Sequence, residues 1–155
     1  MKPREMKTDD LDEVIAIERE ANQFPWTPGN FEDCLHAGHH AWVFCNEQQT
    51  IIGYAIVQSV LDEAHLLNIC VRPSHQRQGF GRHILDYVIE HAKDHAAALI
   101  VLEVRRSNVR AQQLYNQSGF NEMSVRRGYY PAENGREDAI LMGLDLNMLE
   151  MFGAI

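Results

Sequence analysis

An almost unbroken apolar run at residues 97–104 most restricts how this chain can fold. Such a run predicts a strand covered on both faces, as in parallel or mixed sheets flanked by helices. The pattern before it has helical spacing, at Gly81, Ile84, Leu85, Val88, Ile89 and Ala92. The pattern after it comprises Ala111, Leu114, Tyr115 and Ser118, and it ends at Gly119. We therefore predict an α/β fold with a mixed central sheet flanked by helices.

The remaining patterns place further helices and strands around this centre. A first helix is predicted from Leu11, Val14, Ile15 and Glu18, after candidate N-caps at residues 8–10. Thr27 followed by Pro28 predicts the start of a second helix, and Ser107 is the predicted N-cap of the last one. Strands are expected at 41–45, 51–61, 64–71, 120–129 and 139–146, with a turn-rich segment at 131–136. We find no linker or repeat, so a single domain over residues 1–155 is predicted.

Size and charge narrow the possible functions. A chain of 155 residues with 45% hydrophobic and 23% charged residues has ordinary globular composition. The formal net charge of −8 argues against direct nucleic-acid binding and would attract a basic peptide or protein. The alternative is that the acidic residues serve only solubility. The sequence leaves open whether the charge serves binding of a basic partner or solubility.

The cysteine pattern and the N-terminal residues indicate the cellular compartment in which the protein is expected. Cys34, Cys45 and Cys70 are odd in number and lack CxxC spacing, which is typical of a reducing environment. The N-terminus lacks the apolar stretch of a signal peptide. No uncharged segment approaches the ~18 residues that span a bilayer. We therefore expect a cytoplasmic protein without a membrane partner.

Residues 76–82, Gln-Arg-Gln-Gly-Phe-Gly-Arg, lie between a predicted strand and the helix containing Ile84. Glycines at a helix start allow close backbone approach to a ligand, and the unpaired N–H groups there bind phosphate well. Arg77 and Arg82 add positive charge. The spacing fits neither a Rossmann nor a Walker A motif. Taken alone, an ordinary glycine-rich turn remains the alternative.

This segment has the form Arg-x-x-Gly-x-Gly and lies between a strand and an amphipathic helix. In that context it resembles the acetyl-CoA pyrophosphate loop of the GNAT acetyltransferase superfamily. Arg105-x-Ser107-Asn108 and the pattern at 114–120 agree with that resemblance. More specific segments resemble the RimI family of ribosomal-protein-alanine N-acetyltransferases: Phe-Pro-Trp-Thr at 24–27, Leu-Asp-Glu-Ala at 61–64, Asn-Ile at 68–69, Arg-Arg-Gly-Tyr-Tyr-Pro at 126–131 and Gly-Arg-Glu-Asp-Ala at 135–139. The resemblance covers nearly the whole chain and implies the GNAT fold.

The resemblance also implies roles for particular residues. Glu103 would be the general base and Tyr115 the general acid of direct acetyl transfer from acetyl-CoA. The main chain at 69–71 would bind the pantetheine arm as an added strand. The implied cofactor-binding residues are Ile69, Cys70, Val71, Arg77, Gln78, Gly79, Phe80, Gly81, Arg82 and Asn108.

Both catalytic assignments have structural alternatives. Glu103 interrupts the apolar run, and a carboxylate in a covered strand is costly unless it is paired. It could instead face solvent or pair with Arg105, Arg106 or Arg110. Tyr115 lies on the apolar stripe of its helix, so a core tyrosine with a bonded hydroxyl is the alternative.

Free-energy estimates favour a terminal amine as the acceptor. With a pKa of ~7.7–8.0, an α-amine costs about 1–1.4 kcal/mol to neutralise at pH 7, whereas a lysine at ~10.4 costs about 4.6 kcal/mol. A glutamate base is therefore more plausible for an N-terminus. In the RimI family this acceptor is the N-terminal alanine of small-subunit ribosomal protein 18, a basic partner that suits an acidic chain.

Several points stay open in the sequence. By analogy, residues 24–26 and 129–131 would frame a peptide channel, although the aromatic and proline residues could equally form a packed turn. A GNAT enzyme acting on small amines or antibiotics, and a non-catalytic acyl-CoA-binding module, are the alternative functions. The RimI-like segments argue against the first, and the presence of Glu103 and Tyr115 argues against the second.

Two histidine groups have the spacing of metal ligands on a helix. They are His36, His39 and His40, and the pair His91 and His95. Zinc requires three or four ligands with a supporting second shell, which the sequence does not indicate. We therefore predict surface histidines and no metal.

Overall fold

A computed structural model describes residues 1–147, and that part of the chain contains four α-helices and seven β-strands. The helices are α1 (Leu11–Ala21), α2 (Pro28–His36), α3 (Phe80–Asp94) and α4 (Val109–Gln117). The strands are β1 (Lys2–Glu5), β2 (His40–Cys45), β3 (Ile51–Val60), β4 (Glu63–Val71), β5 (Leu99–Arg105), β6 (Asn121–Ala132) and β7 (Gly135–Asp145). They form one sheet in the order β1-β2-β3-β4-β5-β7-β6. The predicted α/β fold with a mixed sheet is confirmed.

The apolar run lies on β5, which pairs in two directions. Its parallel pairing with β4 joins Glu63–Leu66 to Leu99–Leu102. On its other side β5 pairs antiparallel with β7, which in turn pairs antiparallel with β6. Because parallel strands need a crossover connection, the helix α3 lies between β4 and β5 in the chain.

The chain divides into two compact units. Unit 1 comprises Met1–Ser59 and Leu67–Val88. Unit 2 comprises Val60–Leu66 and, within the described part of the chain, residues 89–147. Unit 1 therefore holds β1, β2, α1 and α2 complete, while unit 2 holds β5, α4, β6 and β7.

The core of unit 1 forms between α1, α2 and the strands β2 and β3. The helix α1 buries Leu11, Val14 and Ile17 against this core, and Ile15 of the predicted stripe is partly buried beside them. The aromatic ring of Phe31 in α2 lies 5.9 Å from that of Tyr54 in an edge-on arrangement. These contacts use the amphipathic faces that the spacing predicts.

Helix starts agree with the sequence in one case and differ in two. Thr27 caps α2 as predicted, accepting the N–H of the third helical residue at 3.2 Å. Asp10 makes no such bond before α1. Its carboxylate accepts instead from the Arg4 guanidinium at 2.7 and 2.8 Å and from the Lys7 main-chain N–H at 2.8 Å. Asn108, rather than the predicted Ser107, caps α4. The Ser107 hydroxyl bonds instead to a carboxylate on β7.

Two strand predictions also need correction. β1 is missing from the predictions because its four residues are all exposed and show no apolar alternation. It forms through main-chain pairing with β2 at the sheet edge. The closing hairpin is longer than expected, since β6 and β7 extend through the predicted turn region and leave only residues 133–134 between them.

Candidate active site

The predicted pyrophosphate loop lies in unit 1, between β4 and α3. Its backbone turns through left-handed conformations at Arg77 (φ 63°) and Gly79 (φ 86°), the second of which suits glycine. The first main-chain bond of the helix runs from the His83 N–H to the Gly79 carbonyl at 3.2 Å. The amides of Phe80, Gly81 and Arg82 precede that bond, so the helix itself does not use them. This helix start can therefore donate to an anion.

Side chains hold the loop in place and give it positive charge. The Gln76 amide donates to the Val71 carbonyl at 3.0 Å, which ties the loop to the end of β4. Arg82 donates to Asp86 at 3.1 Å on the helix surface, and Arg77 is exposed. Exposed pairs of this kind contribute less than about 1 kcal/mol, so an anionic ligand could compete for Arg82.

Ile69, Cys70 and Val71 form the end of β4, as predicted, and the β4–β5 ladder stops before them at Leu66. The neighbouring strand β3 approaches this end closely at Gly53. A Cβ atom at that position would lie 2.5 Å from the Cys70 carbonyl oxygen. A glycine is therefore required for this approach of the two backbones.

Glu103 lies on β5 in unit 2, between the buried residues Leu102 and Val104. Its side chain is 27% exposed, and its carboxylate accepts a hydrogen bond from Arg126 of β6 at 2.9 Å. The sequence alternatives paired Glu103 with arginines near it in the chain. The structure gives a partner 23 residues away instead.

Two tyrosines of β6 surround this carboxylate. The Arg126 guanidinium lies 4.6 Å from the centre of the Tyr129 ring. Partial burial, followed by the Glu103 carboxylate, raises the pKa of the Tyr129 hydroxyl. Burial, again followed by Glu103, raises the pKa of Tyr130 to about 12. Glu103 therefore lies in a cluster with Arg126, Tyr129 and Tyr130.

Tyr115 lies on α4, is 7% exposed, and packs its ring 5.8 Å from that of Phe120. Burial raises the pKa of its hydroxyl above the ordinary tyrosine value, and Tyr130 adds to this. Tyr130 thus interacts electrostatically with both predicted catalytic residues, Glu103 and Tyr115. A buried hydroxyl with a raised pKa keeps its proton at neutral pH.

Asn108 stands at the N-terminus of α4. Its side-chain oxygen accepts the Ala111 N–H at 3.2 Å and thereby caps the helix. The oxygen is thus used structurally, which leaves the amide NH₂ as the group that could donate to a ligand.

The predicted site residues fall into two sets. Unit 1 brings together Ile69–Val71 and the loop 77–82, and unit 2 brings together Glu103, Tyr115 and Asn108. Sequence reasoning missed the direct contact of Arg126 with Glu103 and the contact of the Arg105 guanidinium with the Tyr130 ring. The Arg-Arg-Gly-Tyr-Tyr-Pro segment was the available signal, although the sequence could not show which of its residues faces β5.

The histidines form no site comparable to these two sets. The rings of His91 and His95 stack with centres 4.0 Å apart on α3. Across residues 1–147, no group of three or more His, Cys, Asp or Glu side chains could hold a metal ion. In the same range, no helix is both long and apolar enough to cross a membrane.

Comparison with known proteins gives the class of this site. The Acetyltransferase (GNAT) family pattern matches residues 10–120. Over 147 residues the chain is 44% identical to [ribosomal protein bS18]-alanine N-acetyltransferase of Escherichia coli (strain K12), covering 92% of this chain and 96% of that protein. The Salmonella typhimurium protein described in the same words is 40% identical over 147 residues, with the same coverage.

A solved structure agrees with these relatives. The crystal structure of the ribosomal-protein-S18-alanine N-acetyltransferase from Escherichia coli matches with a TM-score of 0.87 and 40% identity, covering 93% of this chain and 92% of that one. Fold and motifs together define an N-acetyltransferase with the GNAT fold. The chain belongs to the acetyltransferase (GNAT) family and, within it, to the RimI family. The predicted family and enzyme class are confirmed.

Proposed function

We propose that this enzyme transfers the acetyl group of acetyl-CoA to the N-terminal α-amine of a protein, namely the N-terminal alanine of ribosomal protein bS18. The observation that supports this substrate is the 44% identity to the Escherichia coli bS18-alanine enzyme over 92% of the chain. The net charge of −8 suits a basic protein partner. The reaction would take place in the cytoplasm, with no metal, no nucleic-acid contact and no membrane.

The residues of unit 1 fit the binding of acetyl-CoA. The free amides at the start of α3 and the guanidinium groups of Arg77 and Arg82 would hold the pyrophosphate. The dipole of a helix contributes only about 0.3–1 kcal/mol to an exposed anion, so directed N–H bonds would carry most of this binding. The main chain of Ile69–Val71, which lies beyond the β4–β5 ladder, would bind the pantetheine arm. Asn108 would donate its amide NH₂ to the cofactor.

The residues of unit 2 fit direct acyl transfer. The neutral amine would attack the thioester carbonyl, and Glu103 would receive the amine proton through water. The carbon–sulfur bond would then break as Tyr115 gives its proton to the departing thiolate. Tyrosine with a pKa of ~10 is a weaker acid than a thiol with a pKa of ~8.5, so this proton transfer runs uphill by about 2 kcal/mol. Burial raises the pKa of Tyr115 and adds to that cost in the free enzyme.

Arg126 keeps Glu103 paired before substrate arrives. The arginine side chain is 54% exposed, and a pair this open to solvent contributes less than about 1 kcal/mol. A cationic N-terminus could therefore displace the guanidinium from the carboxylate at little cost. We interpret Arg126 as a counter-ion that pairs with Glu103 without blocking it.

The test is acetylation of a peptide with the N-terminal sequence of bS18, followed by mass spectrometry with fragmentation to locate the acetyl group. Wild-type protein should acetylate the terminal alanine in preference to spermidine, an aminoglycoside or a lysine side chain. Glu103→Gln and Tyr115→Phe should each lower kcat by about 10²–10⁴-fold.

The control is Glu122→Gln, which changes an exposed carboxylate on β6 and should leave kcat unchanged. Preferred acetylation of a small amine would contradict the proposed substrate. Equal turnover by wild type and Glu103→Gln would contradict the proposed catalytic role.

A further inference from the structure

The Gly-Arg-Glu-Asp segment at the start of β7 has no role in the binding or catalysis described so far. All three of its charged side chains nevertheless make contacts within unit 2. Arg136 donates to the carbonyls of Gly128 and Tyr129 at 2.6 and 2.9 Å, and Asp138 accepts the Gly128 N–H at 2.9 Å. Those hydrogen bonds stay within the β6–β7 hairpin, although Asp138 also forms an ion pair with Arg106 at 3.5 Å. The side-chain hydrogen bonds of Glu137 all leave the hairpin.

The Glu137 carboxylate accepts three hydrogen bonds. Its Oε1 accepts from Arg105 Nη1 at 2.8 Å and from the Ser107 hydroxyl at 3.1 Å. Its Oε2 accepts the Ser107 main-chain N–H at 3.2 Å. The side chain is 20% exposed, and the Arg105 guanidinium, followed by Ser107, holds the pKa of Glu137 below its usual value.

Arg105 and Ser107 connect the Glu137 carboxylate to β5, which carries Glu103, and to α4, which carries Tyr115. Arg105 is the last residue of β5, two positions after Glu103. Ser107 directly precedes Asn108, the N-cap of the helix that carries Tyr115. One carboxylate of β7 therefore bonds the end of β5 and the start of α4 at the same time.

Arg105 extends this connection to the neighbour of Tyr115. Its guanidinium donates to the Pro131 carbonyl at 2.7 Å and lies 4.4 Å from the centre of the Tyr130 ring. Tyr130 is the tyrosine that interacts electrostatically with both Glu103 and Tyr115. Glu137 thus orients Arg105, and Arg105 in turn contacts the Tyr130 ring and the Pro131 main chain.

We propose that Glu137 is a positioning residue for the transfer reaction, whose carboxylate holds β5 and α4 in the one arrangement that Glu103 and Tyr115 need for proton transfer. The proposal rests on the catalytic roles assigned above. Proton transfer requires heavy atoms within hydrogen-bond reach, and a misplacement of about 1 Å can lower a rate by about 10²-fold. A residue that sets this geometry should therefore affect kcat.

The test uses Glu137→Gln in the full-length protein. Glutamine keeps the size of the side chain but replaces one acceptor oxygen with an NH₂ group, which cannot accept from Ser107 or Arg105. We expect kcat to fall by about 10- to 100-fold while the KM for acetyl-CoA stays unchanged. Hydrogen exchange measured by NMR should be faster at the Ser107 amide and in the first turn of α4.

Two further variants set the scale of this effect. Ser107→Ala removes only the hydroxyl bond, so its kcat should lie between those of wild type and Glu137→Gln. Glu122→Gln, an exposed carboxylate on the same hairpin, should match wild type in kcat and in amide exchange.

The outcomes are distinct. An unchanged kcat or unchanged exchange at Ser107 in Glu137→Gln would overturn the positioning role. A rise in the KM for acetyl-CoA together with a lower unfolding midpoint would overturn it too, because a general loss of stability would then explain the effect. If wild type did not acetylate the bS18 peptide, the proposed substrate would fail, and the kcat comparison would be made with the amine that wild type does acetylate.

Discussion

At the scale of single residues, Glu18 has the least expected environment. Its side chain is buried in unit 1 at 3% exposure, where a carboxylate needs full hydrogen bonding. Oε1 accepts from the Tyr54 hydroxyl at 2.6 Å and from the Asn68 amide at 3.0 Å, and Oε2 accepts the Trp26 N–H at 3.0 Å. Glu18 therefore joins α1 to β3, to β4 and to the segment that precedes α2.

Replacing this carboxylate should destabilise the protein strongly. Glu18→Ala would leave the buried Tyr54 hydroxyl and two partly buried donors without an acceptor, and we expect a loss of about 3 kcal/mol in the free energy of unfolding. Urea denaturation followed by circular dichroism measures this loss. The matched control is Glu20→Ala, an exposed glutamate on the same helix. A loss for Glu18→Ala no larger than that of the control would contradict the structural role of the network.

Residue-level chemistry was only partly predictable from the sequence. The helical spacing included Glu18 in the pattern that predicts α1 but placed only Leu11, Val14 and Ile15 on the apolar face, and it could not show which donors would satisfy the carboxylate. The sequence also did not show the partner of Glu103. The predicted partners were arginines near it in the chain, whereas its partner in the structure is Arg126. Long side chains find partners across strands, and the pairing register that decides this is not a local property.

At the scale of secondary-structure elements, the close approach of β3 to β4 sets the position of the predicted pantetheine strand. The contact at Gly53 is with main chain: its Cβ position lies 2.5 Å from the Cys70 carbonyl oxygen, and 2.7 Å from Ile84 Cδ1 as well. A side chain can rotate away from a clash, but a carbonyl oxygen in a sheet moves only with its strand.

Gly53→Ala should therefore displace the end of β4. We expect a stability loss of about 1–3 kcal/mol, the usual cost of overpacking, together with weaker acetyl-CoA binding. Isothermal titration calorimetry measures the binding, and urea denaturation measures the stability. Gly29→Ala is the control, because its Cβ would meet only the Thr27 hydroxyl oxygen at an ordinary 3.7 Å. Binding by Gly53→Ala equal to that of wild type would contradict the proposed role of this strand.

At the scale of the whole molecule, all three cysteines are free thiols buried in unit 1. Cys34, Cys45 and Cys70 are between 5% and 8% exposed, so a reagent reaches them only when the unit opens. Burial raises the pKa of the Cys34 thiol, and it raises that of Cys70 to about 12. Protonated, buried thiols are poor nucleophiles.

The native protein should accordingly react slowly with Ellman's reagent at pH 8, and all three thiols should react rapidly in guanidinium chloride. The absorbance of the released thionitrobenzoate gives both the number of reactive thiols and their rates. Rapid modification of even one thiol in native protein would contradict the burial described here. The denatured protein serves as the internal control for the total.

The sequence by itself determined the fold class, the family and the order of most elements, because hydrophobic spacing and short motifs are local properties of a chain. Residues 97–104 predicted a covered strand, and the glycines at 79 and 81 predicted a helix start suited to an anion. Tertiary structure alone decided which distant groups meet: Arg126 at Glu103, Glu137 at Ser107, and three donors at Glu18. It also placed β1, whose four exposed residues pair through the main chain with β2 and show no side-chain pattern that predicts a strand. Such contacts depend on strand register and on how separate elements pack together. The residue spacing within a single segment does not specify either of these.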